Sequence, residues 1–96
     1  MYARSDRVDA RLAPLLDHPV WRVRAMAAAA LHGTRDTRAQ AGYERALHDE
    51  AWQVRAAAVE HFASLGEPGM IERLRPLLSD RHIAVRRAAA EALRSR

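Results

Sequence analysis

The hydrophobic and polar positions of this chain repeat every 31 residues. The stretch VWRVRAMAAAALH (20–32) is followed by AWQVRAAAVEHFA (51–63) and then by HIAVRRAAAEALR (82–94). Valine, arginine and alanine occupy matching columns of the three stretches, at Val23, Val54 and Val85, at Arg24, Arg55 and Arg86, and at Ala27, Ala58 and Ala89. Self-similarity at a period of this size is typical of a solenoid, in which stacked helical repeats contact only their neighbours.

Each repeat is predicted to contain two helices. The segments RLAPLLDHP (11–19), GYERALHDE (42–50) and RLRPLLSDR (73–81) precede the three stretches in the same register and share a leucine column. No part of the chain has the alternation that is typical of a strand. The sequence therefore predicts an all-α solenoid of three helix pairs, a single domain over 1–96 with repeats at about 4–34, 35–65 and 66–96.

Prolines, glycines and polar residues predict where the helices begin, bend and end. Pro14 and Pro76 fall late in the first helices of their repeats, where each removes one backbone hydrogen bond and predicts a bend. Pro68 suits the first position of the third repeat's first helix. Gly33 and Gly66 lie where a helix end favours positive φ. The predicted N-caps are Ser5 or Asp6 for the first repeat and Asp36 or Thr37 for the second.

A resemblance to the HEAT-repeat family is carried by LLSDRHIAVRRAAAEAL (77–93), LLDHPVWRVRAMAAAAL (15–31) and ALHDEAWQVRAAAVEHF (46–62). The likeness is greatest to the shorter HEAT-like repeats of phycobilisome lyases. It implies an inner layer of second helices and an outer layer of first helices, stacked in a right-handed curve. It implies little about function, because such repeats serve many unrelated roles.

The turns between the helices of the last two repeats each contain an aspartate six residues before the column arginine. These residues are Asp49 with Arg55 and Asp80 with Arg86. In the resembled family, an aspartate of this turn and the arginine after the valine form a ladder between adjacent repeats, and the resemblance implies the same here. The planar guanidinium also suits the unpaired carbonyls of the turn. In the first repeat His18 takes the aspartate column, so the ladder is not predicted at that end.

The composition narrows the kinds of protein that this chain can be. All 16 basic residues are arginine, and the absence of cysteine excludes disulfides and thiolate metal sites. No apolar run approaches the roughly 18 residues of a membrane span, and MYARSDRVDA (1–10) lacks the apolar stretch of a secretory signal. We therefore expect a cytoplasmic protein without membrane contact, and the arginine bias favours a bacterium with a GC-rich genome.

A helical wheel of the second helices separates a core side from an opposite side. In the first repeat the core side is formed by residues 23, 26, 27, 30 and 31, and the opposite side by residues 22, 25, 28, 29 and 32. Across the three repeats the opposite side combines small residues with charges of both signs, so the net charge of +4 is not focused there. Such a surface favours a protein or peptide partner. The predicted contact residues are Arg22, Gln53, Glu60, Arg87, Glu91 and Arg94.

The sequence leaves two alternatives to a protein-binding scaffold. Nucleic acid is one alternative partner, because arginines cluster in the third repeat and basic surfaces attract phosphate. The arginines concerned are Arg73, Arg75, Arg81, Arg86 and Arg87. The other alternative, an accessory subunit of an enzyme such as a chromophore lyase, is admitted by the family resemblance and supported by no residue here.

Catalytic, metal and cofactor sites are not predicted. The chain has no phosphate-binding loop and no nucleophile–base grouping in a recognised context. Three histidines near the turns belong to successive repeats, roughly 10 Å apart, which is too far for one metal ion. Trp21 and Trp52 share a column with Ile83, which favours packing over base stacking. His61 falls in a core column, where a neutral imidazole is predicted to fill a gap and to make one hydrogen bond.

The far flank of the third repeat is predicted to be open. Val85, Ala89 and Leu93 are expected to face the second repeat, and the flank turned away from it comprises Ile83, Ala84 and Ala90. An uncapped, alanine-rich flank favours self-association or continuation into a longer array.

Overall fold

The computed structural model describes residues 6–94, which form six α-helices arranged as three helix pairs. The first helices are α1 (Asp6–Leu12), α3 (Thr37–Ala46) and α5 (Met70–Leu74), and the second helices are α2 (Trp21–Ala30), α4 (Trp52–Leu65) and α6 (Ile83–Arg94). Within this range no residue belongs to a strand. The predicted all-α solenoid of three helix pairs is confirmed.

The second helices form one layer, in which α4 packs against both α2 and α6. The core between the two layers is rich in alanine, with Ala27, Ala58 and Ala89 all fully buried. Small side chains let helices approach closely, so few large residues are needed to fill the space between them. The largest fully buried side chains are Tyr43, Leu31, Leu74, His61, Val54, Val59 and Val85.

An aromatic cluster fills the centre of the second helix pair. The Tyr43 ring stacks on His61, with ring centroids 3.5 Å apart, and its hydroxyl donates to Ala28 O at 2.6 Å. The His61 Nδ1 accepts the Gly33 backbone N–H at 3.1 Å. The prediction that His61 fills a core position and makes a hydrogen bond is confirmed, and both bonds connect the second pair to the first.

Two of the three notable prolines change the helix type where the sequence predicts a bend. α1 continues as a 3₁₀ segment over Ala13–Asp17 and α5 as one over Arg75–Ser79, with Pro14 and Pro76 at their second positions. A proline lacks the N–H that continues an α-helix but is tolerated in the first turn of a new one, so a 3₁₀ segment begins one residue before each proline. The prediction for Pro68 was wrong, because it lies in a turn and α5 begins after Gly69, whose φ is 89°.

The predicted helix ends are largely those observed. Asp36 is the N-cap of α3 and accepts the backbone N–H of Arg38 at 2.9 Å. Hydrogen bonds from the Arg38 side chain and backbone lower the pKa of Asp36 to about 2. Gly66 ends α4 with a φ of 61°, and Gly33 has a φ of 80°. The alternative cap Ser5 lies outside the described residues.

The wheel of a single helix misassigned several positions. Met26 was placed on the core side and is 53% exposed, whereas Ala28 and Val59, placed opposite the core, are fully buried. The reason is that a stacked helix is covered from both flanks. Met26 lies on the flank of α2 that is turned away from the second pair, so it stays exposed. Ala28 and Val59 each face the following helix pair, so they are buried.

Gly42 allows a close approach between the first and second helix pairs. A Cβ at this position would lie 2.8 Å from the Cβ of Leu16, a side chain that is itself 3% exposed. Real Cβ atoms do not approach so closely, so either α3 or the 3₁₀ segment that carries Leu16 has to shift when a methyl group is added.

We predict that Gly42→Ala lowers the free energy of unfolding by about 1–3 kcal/mol through overpacking. The sign of this change distinguishes overpacking from helix propensity, because replacing glycine by alanine stabilises a helix by about 1 kcal/mol where space is free. Urea denaturation followed by circular dichroism measures the change. Ala41→Gly, on the exposed side of the same helix, calibrates the propensity effect alone. A stabilised Gly42→Ala would contradict the close contact.

Candidate functional site

The turns between the helices of the second and third pairs are each joined to the preceding pair by an arginine. At the first joint Arg24 Nε donates to Asp49 Oδ2 at 2.7 Å, and Arg24 Nη2 donates to Asp49 Oδ1 at 2.9 Å. The Nη1 of the same side chain donates to His18 O at 2.8 Å and to Pro19 O at 3.0 Å. One guanidinium therefore holds its own turn and the next turn together.

The second joint has the same geometry and is more deeply buried. Arg55 Nε and Nη2 donate to the two carboxylate oxygens of Asp80 at 2.8 and 3.0 Å. Its Nη1 donates to Asp49 O at 2.7 Å and to Glu50 O at 3.1 Å. The side chains of Arg55 and Asp80 are only 4% and 8% exposed. Burying two charges is favourable only with such complete hydrogen bonding.

The joints have a direction, which the sequence did not reveal. Arg24 and Arg55 each bind the aspartate of the following pair, so Arg24 belongs to the ladder although its own pair has no aspartate at that column. His18 occupies that column and keeps only its local task, because its Nδ1 accepts the Val20 N–H at 3.0 Å. The first pair, for which the sequence did not predict the ladder, therefore takes part in it through Arg24. The prediction that Arg86 is a ladder residue was wrong for residues 6–94, because its one hydrogen bond there is to a carbonyl of its own turn.

The interrupted end of the ladder is the third pair. There Arg86 Nη1 donates to Asp80 O at 2.8 Å, as the other column arginines do to their own turns. Within residues 6–94 its Nε and Nη2 have no aspartate to bind, because no following pair supplies one. Within the described residues, the third pair therefore has an arginine, Arg86, without an acidic partner. The first pair has a histidine, His18, where the other pairs have an aspartate.

The aspartates of the joints are held in the ionised form. Burial alone would raise the pKa of Asp80, but hydrogen bonds from Arg55 and from the His82 backbone N–H outweigh it and hold the pKa below 3.8. The pKa of Asp49 is likewise lowered, because the bonds from Arg24 and from the Ala51 N–H outweigh burial. Both turns are therefore stabilised by a carboxylate that remains charged in mild acid.

We predict that Arg55→Ala lowers the free energy of unfolding by about 3–5 kcal/mol, because it leaves a buried carboxylate without its counter-charge. Arg86→Ala changes the same column and removes only one charged hydrogen bond to a carbonyl, so it should cost less, about 1.5–3 kcal/mol. Urea and thermal denaturation of the two variants measure the difference. Equal costs for both substitutions would show that the carboxylate contact contributes little.

Acid should weaken the second joint. The pKa of Asp80 is lower in the folded chain than in the unfolded one, so its stabilisation is complete above about pH 4 and is lost as the pH falls through the folded-state pKa. We predict that Asp80→Asn reduces the loss of stability between about pH 4 and pH 2, measured by urea denaturation at a series of pH values. Glu60→Gln, on an exposed side chain, is the matched control. A wild-type slope in Asp80→Asn would contradict the assignment.

The six residues predicted to contact a partner lie on the side of the second helices that the joints leave free. Gln53 is half-buried and the other five are exposed. Glu91 and Arg94 form an ion pair with each other, and the Arg22 guanidinium lies over the Trp21 ring at 4.8 Å. Ala29 and Ala90 are exposed among them, so the face is mostly small residues and scattered charges. We call it the second-helix face.

A groove at the edge of this face was not predicted. It has a volume of about 390 Å³ and lies between the starts of α2 and α4. Trp52 is 36% exposed and stacks on His82, with ring centroids 4.1 Å apart, while Trp21 is half-buried. Packing therefore accounts for one face of Trp52 only. The residues lining the groove are Pro19, Trp21, Arg24, Glu50, Ala51, Trp52 and Gln53.

The arginines of the third pair are not brought together into one patch. Arg73 forms an ion pair with Glu44 at 2.7 Å and lies over the Phe62 ring. Arg86 is bound to its own turn, as described above. Arg75 follows α5 in the first layer, whereas Arg87 is on α6 in the second. Two of the five are therefore occupied by internal contacts, and the others are spread over different elements.

Comparison with known proteins identifies the class of this fold. The profile of the HEAT-repeat family matches residues 41–96, which is more than half of the chain. The chain therefore belongs to the HEAT-repeat family, whose members are commonly non-catalytic protein-interaction scaffolds. The match does not distinguish the phycobilisome-lyase type of repeat, which stays a prediction. No protein of curated function matches the chain.

Over residues 6–94, no three histidine or acidic side chains converge in the way that a metal ion would require. None of the helices in the same range is both long enough and apolar enough to cross a bilayer.

Proposed function

We propose that this chain is a non-catalytic module that binds a protein or peptide segment on the second-helix face. The carrying observation is the exposed groove between Trp21 and Trp52 at the edge of that face. Aromatic side chains that bury large area at little entropic cost are the residues most often found at the energetic centre of interfaces. A cytoplasmic location in a bacterium remains part of this proposal.

The surroundings of the groove favour a peptide segment over nucleic acid. Glu50 lines the groove beside Gln53, and Glu60 and Glu91 lie on the same face as the arginines. Carboxylates repel phosphate, whereas a polypeptide offers cations, amides and apolar side chains that match such a mixed surface. An apolar side chain of the partner would occupy the groove, and the polar residues around it would fix its orientation.

The six residues named from the sequence are assigned to the rim of this interface. Arg22 and Gln53 lie closest to the groove along α2 and α4, and Arg87 lies on α6. Charged residues at a rim affect association rate and specificity more than affinity. We therefore assign most of the binding energy to the two tryptophans.

Peptide ligands selected from a display library, without bias towards any site, test this proposal. We expect a selected peptide to shift the two indole N–H resonances of the ¹⁵N-labelled protein, together with backbone amides of the second-helix face. Trp21→Ala should weaken binding at least about 30-fold, equivalent to about 2 kcal/mol for a hot-spot residue. Calorimetry measures the affinity.

Arg75→Ala, on the exposed side of the first layer, is the control and should leave the affinity unchanged. Peptides that shift only resonances of the first helices would place the binding surface elsewhere and contradict the proposal. A steep loss of binding to oligonucleotides on adding salt, with no effect of Trp21→Ala, would favour the nucleic-acid alternative.

A further inference from the structure

The outer flank of the third helix pair exposes residues of a kind that are buried at both internal joints. Leu16 and Leu47 are 3% and 4% exposed, and Leu78, in the same column, is 40% exposed. Ala28 and Val59 are fully buried, and Ala90, in their column, is exposed. The third pair therefore presents the surface that receives a following pair. We call Leu78, Arg86 and Ala90 the end face.

The polar part of the end face is preformed as well. At both internal joints the column arginine is fixed by its Nη1 on the carbonyls of its own turn, and its Nε and Nη2 bind a carboxylate. Arg86 makes the first contact, to Asp80 O, and within residues 6–94 its Nε and Nη2 make no hydrogen bond. Its guanidinium is therefore oriented for a carboxylate that the described chain does not provide.

We propose that the end face binds a helical unit, other than those formed by residues 6–94, that presents an aspartate in the turn between its helices. The carboxylate would bind Arg86 in the two-pronged way seen for Asp49 and Asp80, and the helices of that unit would cover Leu78 and Ala90. This surface borders the second-helix face at Ala90, and it shares no residue with the groove between Trp21 and Trp52. The partner is defined by one chemical requirement, a carboxylate at the turn.

A second copy of this chain does not meet that requirement. Its first helix pair offers apolar residues such as Met26 and Val20, which are 53% and 48% exposed, but His18 stands at the aspartate column. The carboxylate of Asp17, one residue earlier, already accepts hydrogen bonds from Arg45 at 2.8 and 2.7 Å. A head-to-tail contact would bury Arg86 against an imidazole, which supplies no negative charge. Burying a guanidinium without its counter-charge is unfavourable, so the end face discriminates against its own chain.

The chain itself supplies a probe for this proposal. His18→Asp installs the missing carboxylate and keeps the turn, because Asp49 Oδ1 accepts the Ala51 N–H just as His18 Nδ1 accepts the Val20 N–H. Combined with Arg86→Ala, it gives a donor that offers a carboxylate and cannot bind further copies. We expect a 1:1 complex between the wild-type chain and the His18→Asp/Arg86→Ala donor, measured by sedimentation velocity and by fluorescence anisotropy of the labelled donor.

Controls assign the interaction to the carboxylate. Arg86→Ala as the acceptor should weaken the complex at least about 30-fold, and a donor that retains His18 should bind the wild-type chain no more tightly than that. Melting curves verify that every variant is folded. A donor that does not bind the folded wild-type chain overturns the proposal. Wild-type self-association that Arg86→Ala leaves unchanged also overturns it, since an apolar contact between copies would then suffice.

Discussion

The structure depends on a buried ion pair that joins one helix pair to the next. In an alanine-rich core the apolar contacts between helix pairs involve small, similar side chains. Such contacts would stabilise many relative positions of two neighbouring pairs almost equally well. The fork of Arg55 removes that freedom, because it has to reach two carbonyls of its own turn and two oxygens of Asp80 at once. Breaking any of these contacts would leave a polar group buried without a partner, so one stacking position is specified.

This division of labour explains why the second-helix face is free to bind. The charged groups that hold the stack lie at the turns, and the exposed pairs Asp17–Arg45 and Glu44–Arg73 link the first helices. Exposed pairs of this kind contribute little to stability, because water and salt screen their attraction. The residues on the free side of α2, α4 and α6 therefore do not join one helix pair to the next, and we expect the fold to tolerate their substitution.

The period of 31 residues was sufficient to predict the helix pairs, because a repeated apolar pattern has to be buried by repeated neighbours. The sequence also pointed to the arginine and aspartate columns, but it did not show which pair each arginine reaches, since that depends on the offset between stacked turns. The same offset decides that Val59 is buried and Met26 exposed. The groove between Trp21 and Trp52 was missed because it belongs to two helices at once, and no pattern within one helix encodes it.

The direction of the joints gives the two ends of the stack different chemistry. A flank that is complementary to the opposite flank of the same chain forms heterologous contacts, which extend into open filaments when the rotation does not close. In this chain the apolar columns are exposed at both ends, so shape alone does not prevent such growth. The residue that differs is His18, which retains the local hydrogen bond of the turn and lacks the charge that Arg86 requires. At this column, therefore, histidine and aspartate both stabilise the turn, but only aspartate can also bind the arginine of a neighbouring helix pair.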